Sequence, residues 1–479
     1  MMQLLNFALL LPAVYAAQAP AFVKPAPGPT VASPNNGGPS DGSLPKPTVV
    51  QGKQFDRFIQ IWLENTDFES ANSTATFANL AKQGILLDQF YAVTHPSEPN
   101  YVAAVGGDFW GMADDNLYNI PSNISTVVDL LEAKNISWAS YQETMPTDGY
   151  AGFNFTSPNY LNTSAPAYTY YVRKHNPLII YDSVAGVPAR AKLHRNFNDF
   201  AADVNASALP QWLFVTPNLV DDAHDTTIDF AAQWLDYWLA PLLNDTRFND
   251  NRTLILLTFD ETETYTVNNR VFTLLLGGAV PDNLRGTVDS TYYSHYSALS
   301  SVQANWGLDS LGRGDTNKYV FALLSSSFAG TDVESRTMSN VFAAVAAVTG
   351  YQNVNITGAA IPLTNLTGTI PGPLNPNQFV PFSAPNTSAV GAGGGPVFVA
   401  PGVNTNLTID KMPAPVNLTA ANETVPAAGA ANASASGSAP GPSGSAGAGG
   451  KSSSAERRVE RVGVVGAVGA LVGVVALFV

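Results

Sequence analysis

The fold of this chain is decided by the stretch Thr253-Leu254-Ile255-Leu256-Leu257-Thr258-Phe259-Asp260-Glu261. Its apolar run has the length of a strand and stops at two adjacent carboxylates, which is the pattern of a buried parallel strand. Such strands deliver polar residues to their carboxyl ends, where α/β proteins place their chemistry. Because neighbouring acids repel one another unless a cation or a proton holds them, the pair indicates a metal site. A strand cap that carries a solvated acid pair is the alternative.

Strand and helix patterns alternate on both sides of this stretch. A strand at residues 55–63 is followed by a helix at 75–83 and a second strand at 85–93, with a crossover length that suits parallel pairing. Further helices are predicted near 125–133, 197–204 and 228–243, and further strands near 136–142, 212–216 and 271–276. This regular alternation predicts an α/β fold, a three-layer sandwich with a mostly parallel sheet and helices on both faces.

Composition divides the chain into a folded core and low-complexity ends. We predict a signal peptide at 1–17, a flexible leader at 18–51, a catalytic domain at 52–378, a glycosylated stalk rich in Ala, Gly, Pro, Ser and Thr at 379–450, and a propeptide for attachment of a glycosylphosphatidylinositol (GPI) anchor at 451–479. The last segment pairs a polar spacer with an apolar, uncharged tail at 462–479, which is typical of a lipid-anchor signal. A retained membrane helix is the alternative, although 18 residues barely span a bilayer.

The charges and the missing cysteines exclude several classes of function. A formal net charge of -14 argues against binding of nucleic acid or of an anionic membrane through a general field. The chain has no cysteine, which excludes thiolate catalysis and cysteine–zinc sites. Only 13% of the residues are charged, against about 25% in ordinary domains, but Asn-X-Ser/Thr acceptors are scattered along the chain. We therefore expect N-linked glycans to supply solubility.

Three predicted strand ends carry reactive groups. They are Glu64-Asn65, Ser97 with His95, and Asp260-Glu261, and in a parallel sheet these ends share one edge. Carboxylates with an amide oxygen suit Mg²⁺, Mn²⁺ or Ca²⁺, and histidine would make zinc or iron compatible, so the sequence predicts a divalent metal ion of unknown identity. A hydroxyl bound to such an ion becomes a better nucleophile.

Four of the five histidines lie in polar, loop-like contexts, namely His95, His175, His224 and His295. With an ordinary pKa of about 6.5, a histidine is largely cationic at a pH of about 5 and can bind phosphate or protonate a leaving group. His194 stands beside Arg195 and is predicted to lie on the surface.

Six motifs occur in an order that resembles a known family. They are Glu64-Asn65-Thr66-Asp67-Phe68, Ser97-Glu98-Pro99-Asn100-Tyr101, His175-Asn176-Pro177, Asp221-Asp222-Ala223-His224-Asp225, Thr258-Phe259-Asp260-Glu261 and His295-Tyr296-Ser297. The chain resembles the phosphoesterase family that joins secreted acid phosphatases and phospholipases C, over about residues 55–350, and is most similar to the fungal secreted members. The resemblance implies an alkaline-phosphatase-like fold.

The resemblance also implies the roles of individual residues. It implies Ser97 as the nucleophile that forms a phosphoryl-enzyme, with Thr94 as a competing nucleophile. It implies Glu64, Asn65, Asp260 and Glu261 around the metal, and His175, His224 and His295 as groups that hold phosphate oxygens or protonate the leaving group. Residues 262–266 depart from the glycine-rich stretch with a second histidine that relatives often have after the Asp-Glu pair.

The sequence therefore predicts a secreted, glycosylated, GPI-anchored acid phosphatase at the plasma membrane or cell wall. It would hydrolyse phosphate monoesters through a phosphoserine intermediate. A phosphodiesterase of the phospholipase C type and a catalytically inactive cell-wall glycoprotein remain as alternatives.

Overall fold

The fold is taken from a computed structural model. The residues it describes are 21–109, 112, 114–120, 122, 124–265, 267–316, 320–321, 366–371, 379–383 and 391–398. The predicted signal peptide, the predicted anchor propeptide and most of the predicted stalk lie outside these residues. In the described part of the chain, no helix is long and apolar enough to cross a membrane.

The strands and helices have the following bounds. The strands are β1 Arg57–Leu63, β2 Ile85–Leu87, β3 Phe90–Tyr91, β4 Trp138–Gln142, β5 Asn154–Ser157, β6 Tyr168–Val172, β7 His194–Asn196, β8 Trp212–Thr216, β9 Thr253–Phe259, β10 Thr273–Leu276, β11 Thr287–Asp289, β12 Tyr293–Ser294, β13 Leu366–Pro371 and β14 Phe379–Ser383. The helices are α1 Phe68–Asn72, α2 Ala75–Ala81, α3 Ser97–Gly106, α4 Val127–Glu132, α5 Asp182–Ala185, α6 Pro188–Ala191, α7 Phe197–Asn205, α8 Ile228–Leu242 and α9 His295–Trp306.

An eight-stranded sheet with the order β11-β2-β10-β9-β1-β8-β4-β7 forms the centre of the fold. From β9 to β7 every neighbouring pair is parallel, and β10 is antiparallel to both β9 and β2. β9 is buried at each of its positions, as a strand flanked on both sides and covered on both faces must be. The predicted α/β fold with a mostly parallel sheet is confirmed.

Helices cover both faces of this sheet. Trp62 of β1 packs against Tyr101 of α3 and His295 of α9. Phe259 of β9 lies one register position further along and packs against Phe77 of α2. Because successive side chains of a strand point to opposite faces, these contacts place α3 and α9 on one face and α2 on the other. The sandwich therefore has the three layers that were predicted.

The predicted strand at 85–93 is wrong in its extent. The chain turns at Asp88 and Gln89, which separates β2 from β3, and β3 pairs with β12 in a small sheet of its own. β2 runs in the same direction as β1, as expected, but β9 and β10 lie between them. Ser97 therefore does not follow a strand of the main sheet and instead begins α3.

Residues 21–51, which we call the strap, lie against the domain, although the sequence indicated a flexible leader. Asn198 of α7 exchanges two hydrogen bonds with the backbone of Ser33, at 2.8 and 2.9 Å. The backbone N–H groups of Asp41 and Leu44 donate to the carboxylates of Asp199 and Asp203 at 2.8 and 2.6 Å. The composition of the strap did not predict these contacts, because they are hydrogen bonds of its backbone and do not depend on the type of its side chains.

The prediction that His194 lies on the surface is wrong, because this residue begins the edge strand β7 and is buried there. This residue is fully buried, and its Nδ1 lies 3.0 Å from the carbonyl oxygen of Ala191. Its neighbour Arg195 is 4% exposed and forms ion pairs with Asp148, Asp199 and Asp203 at 3.1 Å each. The sequence Lys192-Leu193-His194-Arg195 is typical of an exposed segment, and the acids that pair with Arg195 could not be identified from the residues next to it.

Candidate active site

Ser97 is the first residue of α3 and lies among charged groups. Its Oγ is 3.1 Å from Oε2 of Glu64, 3.5 Å from Oδ1 of Asn65 and 3.5 Å from Nζ of Lys174. The amino end of a ten-residue helix adds a partial positive charge at this point. The Ser97 hydroxyl therefore lies between a carboxylate and an ammonium group at the amino end of a helix. The hydroxyl of Thr94, the competing candidate, donates to the carbonyl of His95 at 3.2 Å.

Glu64 follows β1 directly and is held by several groups besides Ser97. Its Oε1 accepts a hydrogen bond from Tyr101 at 2.5 Å and lies 3.1 Å from Nε2 of His175. The other ring nitrogen of His175 lies 3.6 Å from Asp222. Although burial works in the opposite direction, the neighbouring His175 holds the pKa of Glu64 well below its usual range. The contact with His175 therefore favours the ionised form of the carboxylate that faces Ser97.

Glu261 has a different environment from its neighbour Asp260. Its two oxygens accept hydrogen bonds from the amide groups of Asn65 at 2.8 Å and Asn100 at 3.3 Å, and Nδ1 of His95 lies 2.7 Å away. The Asn65 contact turns the amide oxygen of that residue toward Ser97. The structure thus places Glu261 as a residue that orients Asn65.

Asp260 is fully buried, and its Oδ2 accepts no hydrogen bond of ordinary geometry from the described residues. Burial raises its pKa well above the ordinary value, and the negative charges of Glu64 and Glu261 add to that effect. An open carboxylate oxygen among like charges is what a divalent cation would relieve, so the oxygen donors of Glu64, Asn65 and Asp260 fit a hard metal ion chemically. Within the described residues, no group of three or more His, Asp or Glu side chains comes together in a way that could hold a metal ion.

The two remaining predicted histidines differ in position. His224 keeps 22% of its side chain exposed, its ring centre lies 6.1 Å from that of His175, and its Nδ1 pairs with Asp225 at 2.7 Å. His295 is fully buried against Trp62, with Nε2 2.7 Å from the backbone oxygen of Asp260. Burial lowers the pKa of His295 to about 4, which works against the cationic form expected of this histidine near pH 5.

Lys174 is a site residue that the sequence reasoning missed. Besides Ser97 it contacts Asp115, at 2.9 Å, and its side chain is 14% exposed. The signal was present, because Lys174 immediately precedes His175 in a motif already singled out. Lysine is common in polar loops, so nothing local distinguished it from a solvated residue.

Taken together, the structure brings Ser97, Glu64, Asn65, Asp260, Glu261 and His175 into one buried cluster, with His224 at its margin and His295 behind Asp260. A serine hydroxyl among carboxylates, a lysine and histidines at the edge of an α/β sheet defines a hydrolytic enzyme site for anionic esters. The chain belongs to the phosphoesterase family, whose model matches residues 49–309.

Individual relatives support this assignment. An acid phosphatase of Aspergillus fumigatus is 48% identical over 335 residues, which cover 70% of this chain and 68% of that protein. A phosphate-repressible acid phosphatase of Penicillium chrysogenum is 44% identical over 332 residues, which cover 69% and 72% respectively. The predicted resemblance and the predicted class, a phosphoric monoester hydrolase, are confirmed. A solved structure from Vibrio parahaemolyticus, in the alkaline phosphatase superfamily, covers 54% of this chain and 67% of its own with a TM-score of 0.34 and 10% identity.

Proposed function

We propose that this protein is an acid phosphatase that hydrolyses phosphate monoesters through a phosphoserine intermediate on Ser97. The observation that carries the proposal is the position of the Ser97 hydroxyl between the ionised carboxylate of Glu64 and the ammonium group of Lys174. The carboxylate receives the hydroxyl proton as the oxygen attacks phosphorus, and Lys174 faces the negative charge of the phosphoryl oxygens.

The leaving alcohol needs a proton, and we assign this role to His224. Its Nδ1 pairs with Asp225 at 2.7 Å, which orients the ring, and 22% of its side chain is exposed where an ester can approach it. As the new Ser97–phosphorus bond forms, the bond to the alcohol oxygen breaks and that oxygen takes the proton from His224. Water then attacks phosphorus and gives a proton to His224, the bond between phosphorus and the Ser97 oxygen breaks, and that oxygen takes back the proton held by Glu64 as phosphate leaves.

The family implies a metal ion, and Glu64, Asn65 and Asp260 are the residues that would hold it. A bound divalent cation would lower the pKa of the serine hydroxyl and offset the charge of the phosphoryl oxygens. The sequence included Glu261 in this set, but the hydrogen bonds on both of its oxygens favour an orienting role toward Asn65.

Replacement of the nucleophile tests the proposal directly. We expect Ser97→Ala to lower kcat on p-nitrophenyl phosphate by about 10³-fold or more, because the covalent route is lost. Thr94→Ala is the matched control and should keep most of the activity. Acid-quench mass spectrometry of the wild type should find phosphate on Ser97. Wild-type activity in Ser97→Ala would refute the mechanism, and turnover of phosphatidylcholine alone would favour the phosphodiesterase.

We also propose that the enzyme is a secreted, glycosylated and GPI-anchored protein of the cell surface. Supporting this, the acceptor asparagines within the described residues all lie exposed. They are Asn72, Asn135, Asn154, Asn162, Asn205, Asn244 and Asn251. Digestion of the purified protein with an N-glycosidase should lower its mass, and a phosphatidylinositol-specific phospholipase should release it from intact cells. Failure of both treatments would refute this location.

A further inference from the structure

Glu143 and Asp221 form a buried carboxyl pair that the mechanism above does not use. Glu143 directly follows β4, and Asp221 lies in the loop between β8 and α8. The two residues are 2% and 0% exposed, both carboxyl groups accept hydrogen bonds from Asn218, and Oδ1 of Asp221 accepts none from the described residues. Because carboxylate oxygens only accept hydrogen bonds, a proton on one of two neighbouring buried carboxyl groups would let them bond to each other and would reduce their repulsion.

The groups that contact the pair carry no positive charge. Oε2 of Glu143 accepts from the backbone N–H of Asn218 at 3.1 Å. Oδ2 of Asp221 accepts from the side chain of Asn218 at 3.1 Å and from the Tyr160 hydroxyl at 3.0 Å. Both donors are neutral, and among the described residues no lysine, arginine or histidine forms an ion pair with either carboxyl group.

The other titratable groups that face the pair are acids or phenols. They are Asp222, Tyr160, Tyr170 and Tyr237. Burial raises the pKa of Glu143 to about 7 and the pKa of Asp221 well above its ordinary value. Burial and the lack of a cation among the contacting groups therefore both favour the retention of one proton in acid.

The pair is connected to the catalytic cluster through the loop 218–225. Asn218, which binds both carboxyl groups, also accepts the backbone N–H groups of Asp221 and Asp222 on its carbonyl oxygen, at 2.9 and 3.0 Å. The backbone carbonyl oxygen of Asp222 accepts a hydrogen bond from the backbone N–H of Glu64 at 2.8 Å. The carboxylate of Asp222 accepts a hydrogen bond from the backbone N–H of His224 at 2.9 Å. The turn at Asn218 therefore links the Glu143–Asp221 pair to the contacts that Asp222 makes with Glu64 and His224.

We propose that Glu143 and Asp221 share one proton in the working enzyme and are positioning residues, which hold the loop 218–225 so that Asp222 and His224 face the site of Ser97. The proposal rests on the proposed phosphatase function and adds a reason for its restriction to acid. When the shared proton is lost, two buried carboxylates repel each other, the turn at Asn218 is displaced, and His224 loses its alignment.

Glu143→Gln tests this directly, because its amide group donates to Asp221 at every pH. We expect wild-type kcat/KM on p-nitrophenyl phosphate to fall about tenfold for each unit above pH 7, and Glu143→Gln to stay within about threefold between pH 5 and 8. Glu143→Ala should be impaired about tenfold or more at all pH values, and its recovery in Glu143→Gln identifies the hydrogen bond as the cause. Asp221→Asn is a second variant that should behave like Glu143→Gln.

Asp148→Asn is the matched control, because Asp148 is another buried acid but lies beside Arg195 at the edge of the sheet. It should leave the pH profile of kcat/KM unchanged. A wild-type profile in both Glu143→Gln and Asp221→Asn would overturn the proposal, as would an equal shift in Asp148→Asn, which would indicate a general effect of stability.

Infrared difference spectroscopy separates this proposal from the proposed function. The difference between the wild-type and Glu143→Gln spectra should show the carbonyl stretch of a protonated carboxylic acid that disappears as the pH rises through about 7, since other protonated acids such as Asp148 contribute equally to both spectra. If the wild type has no phosphatase activity at any pH, the proposed function is wrong while this band still supports the shared proton. Absence of the band at pH 5 in an active enzyme would overturn the shared proton alone.

Discussion

Lys174 shows how much of the chemistry depends on one residue. Burial works against its charge, but Asp115 and Glu64 raise the pKa of Lys174 above its ordinary value. The ammonium group 3.5 Å from Ser97 therefore remains charged throughout the acidic and neutral range. An electrostatic contribution from this residue should be independent of pH, unlike that of a histidine.

We expect Lys174→Met to lower kcat/KM on p-nitrophenyl phosphate by about 100-fold, the cost of removing one charge-stabilising donor. The loss should be the same at pH 4.5 and pH 7 relative to wild type measured at each pH. Lys174→Arg, which keeps the charge, should recover part of the activity. If Lys174→Met stays within about twofold of the wild type, Lys174 has no role in transition-state stabilisation.

Substitutions should show that His224 acts in the chemistry and that His295 acts in the stability of the fold. We expect His224→Ala to lower kcat about 100-fold on an alkyl phosphate, whose alcohol needs a proton, and much less on p-nitrophenyl phosphate, whose leaving group departs as an anion. His295→Ala should affect both substrates alike and destabilise the protein by about 1–3 kcal/mol, because the buried carbonyl of Asp260 loses its partner. Equal effects of His224→Ala on the two substrates would contradict its role as an acid.

The residues of the site were predictable to the extent that motifs mark them. Ser97, Glu64, Asn65, Asp260 and His175 were expected together because strand ends and ordered motifs point to one edge. The structure joins them in one cluster. The pairing of Glu261 with Asn65 could not be predicted, since it depends on the direction of two side chains from strands β1 and β9.

At the scale of elements, continuous apolar runs in the sequence predicted the strands of the main sheet most accurately. The strands Trp212–Thr216 and Thr253–Phe259 have the bounds that the sequence indicates, because each is buried at every position. The direction of β10 was not predictable in the same way. A short apolar strand has the same composition whether it is parallel or antiparallel, and its connection to β9 is what reverses it.

Strand β7 carries a testable dependence of stability on pH. Burial raises the pKa of Asp148 to about 8 and the neighbouring Asp199 acts in the same direction, and together they outweigh the opposing effect of the ion pair with Arg195. Because the folded protein then binds a proton that the unfolded chain releases above about pH 3.9, the contribution of this group to stability is complete below that pH and is lost as the pH rises through about 8.

We expect Tm of the wild type to fall between pH 4 and 9 and this fall to be smaller in Asp148→Asn, whose amide keeps the hydrogen bond without titrating. Calorimetry over this pH range measures the difference. Asp282→Asn, at a carboxylate that is 99% exposed, is the control and should follow the wild type. A steeper decline in Asp148→Asn would show that the carboxyl group is not protonated in the folded protein.

At the scale of the whole molecule, the strap adds a layer of contacts outside the family match, which begins at residue 49. Asn198 is 5% exposed and makes three hydrogen bonds to the strap, two to Ser33 and one to Gly38. No local feature of the strap predicted this docking, because the partners lie on α7 and β7 far along the chain.

We expect Asn198→Ala to destabilise the protein by about 1–3 kcal/mol in urea unfolding, with kcat and KM unchanged, since the strap does not contact Ser97 or Glu64 through any of these bonds. Asn79→Ala, at an exposed position of α2, should change stability by less than about 0.5 kcal/mol. A large loss of kcat in Asn198→Ala would show that the strap also shapes the site.

The strap has a further consequence for the order in which the molecule is assembled. Ser33 is synthesised 165 residues before Asn198, and Leu44 is synthesised 159 residues before Asp203. During synthesis the strap therefore has no binding partner until β4, β7 and α7 have left the ribosome and packed together. The first of the described segments to be made is thus among the last to dock, and the buried acids around Arg195 stay hydrated until it does.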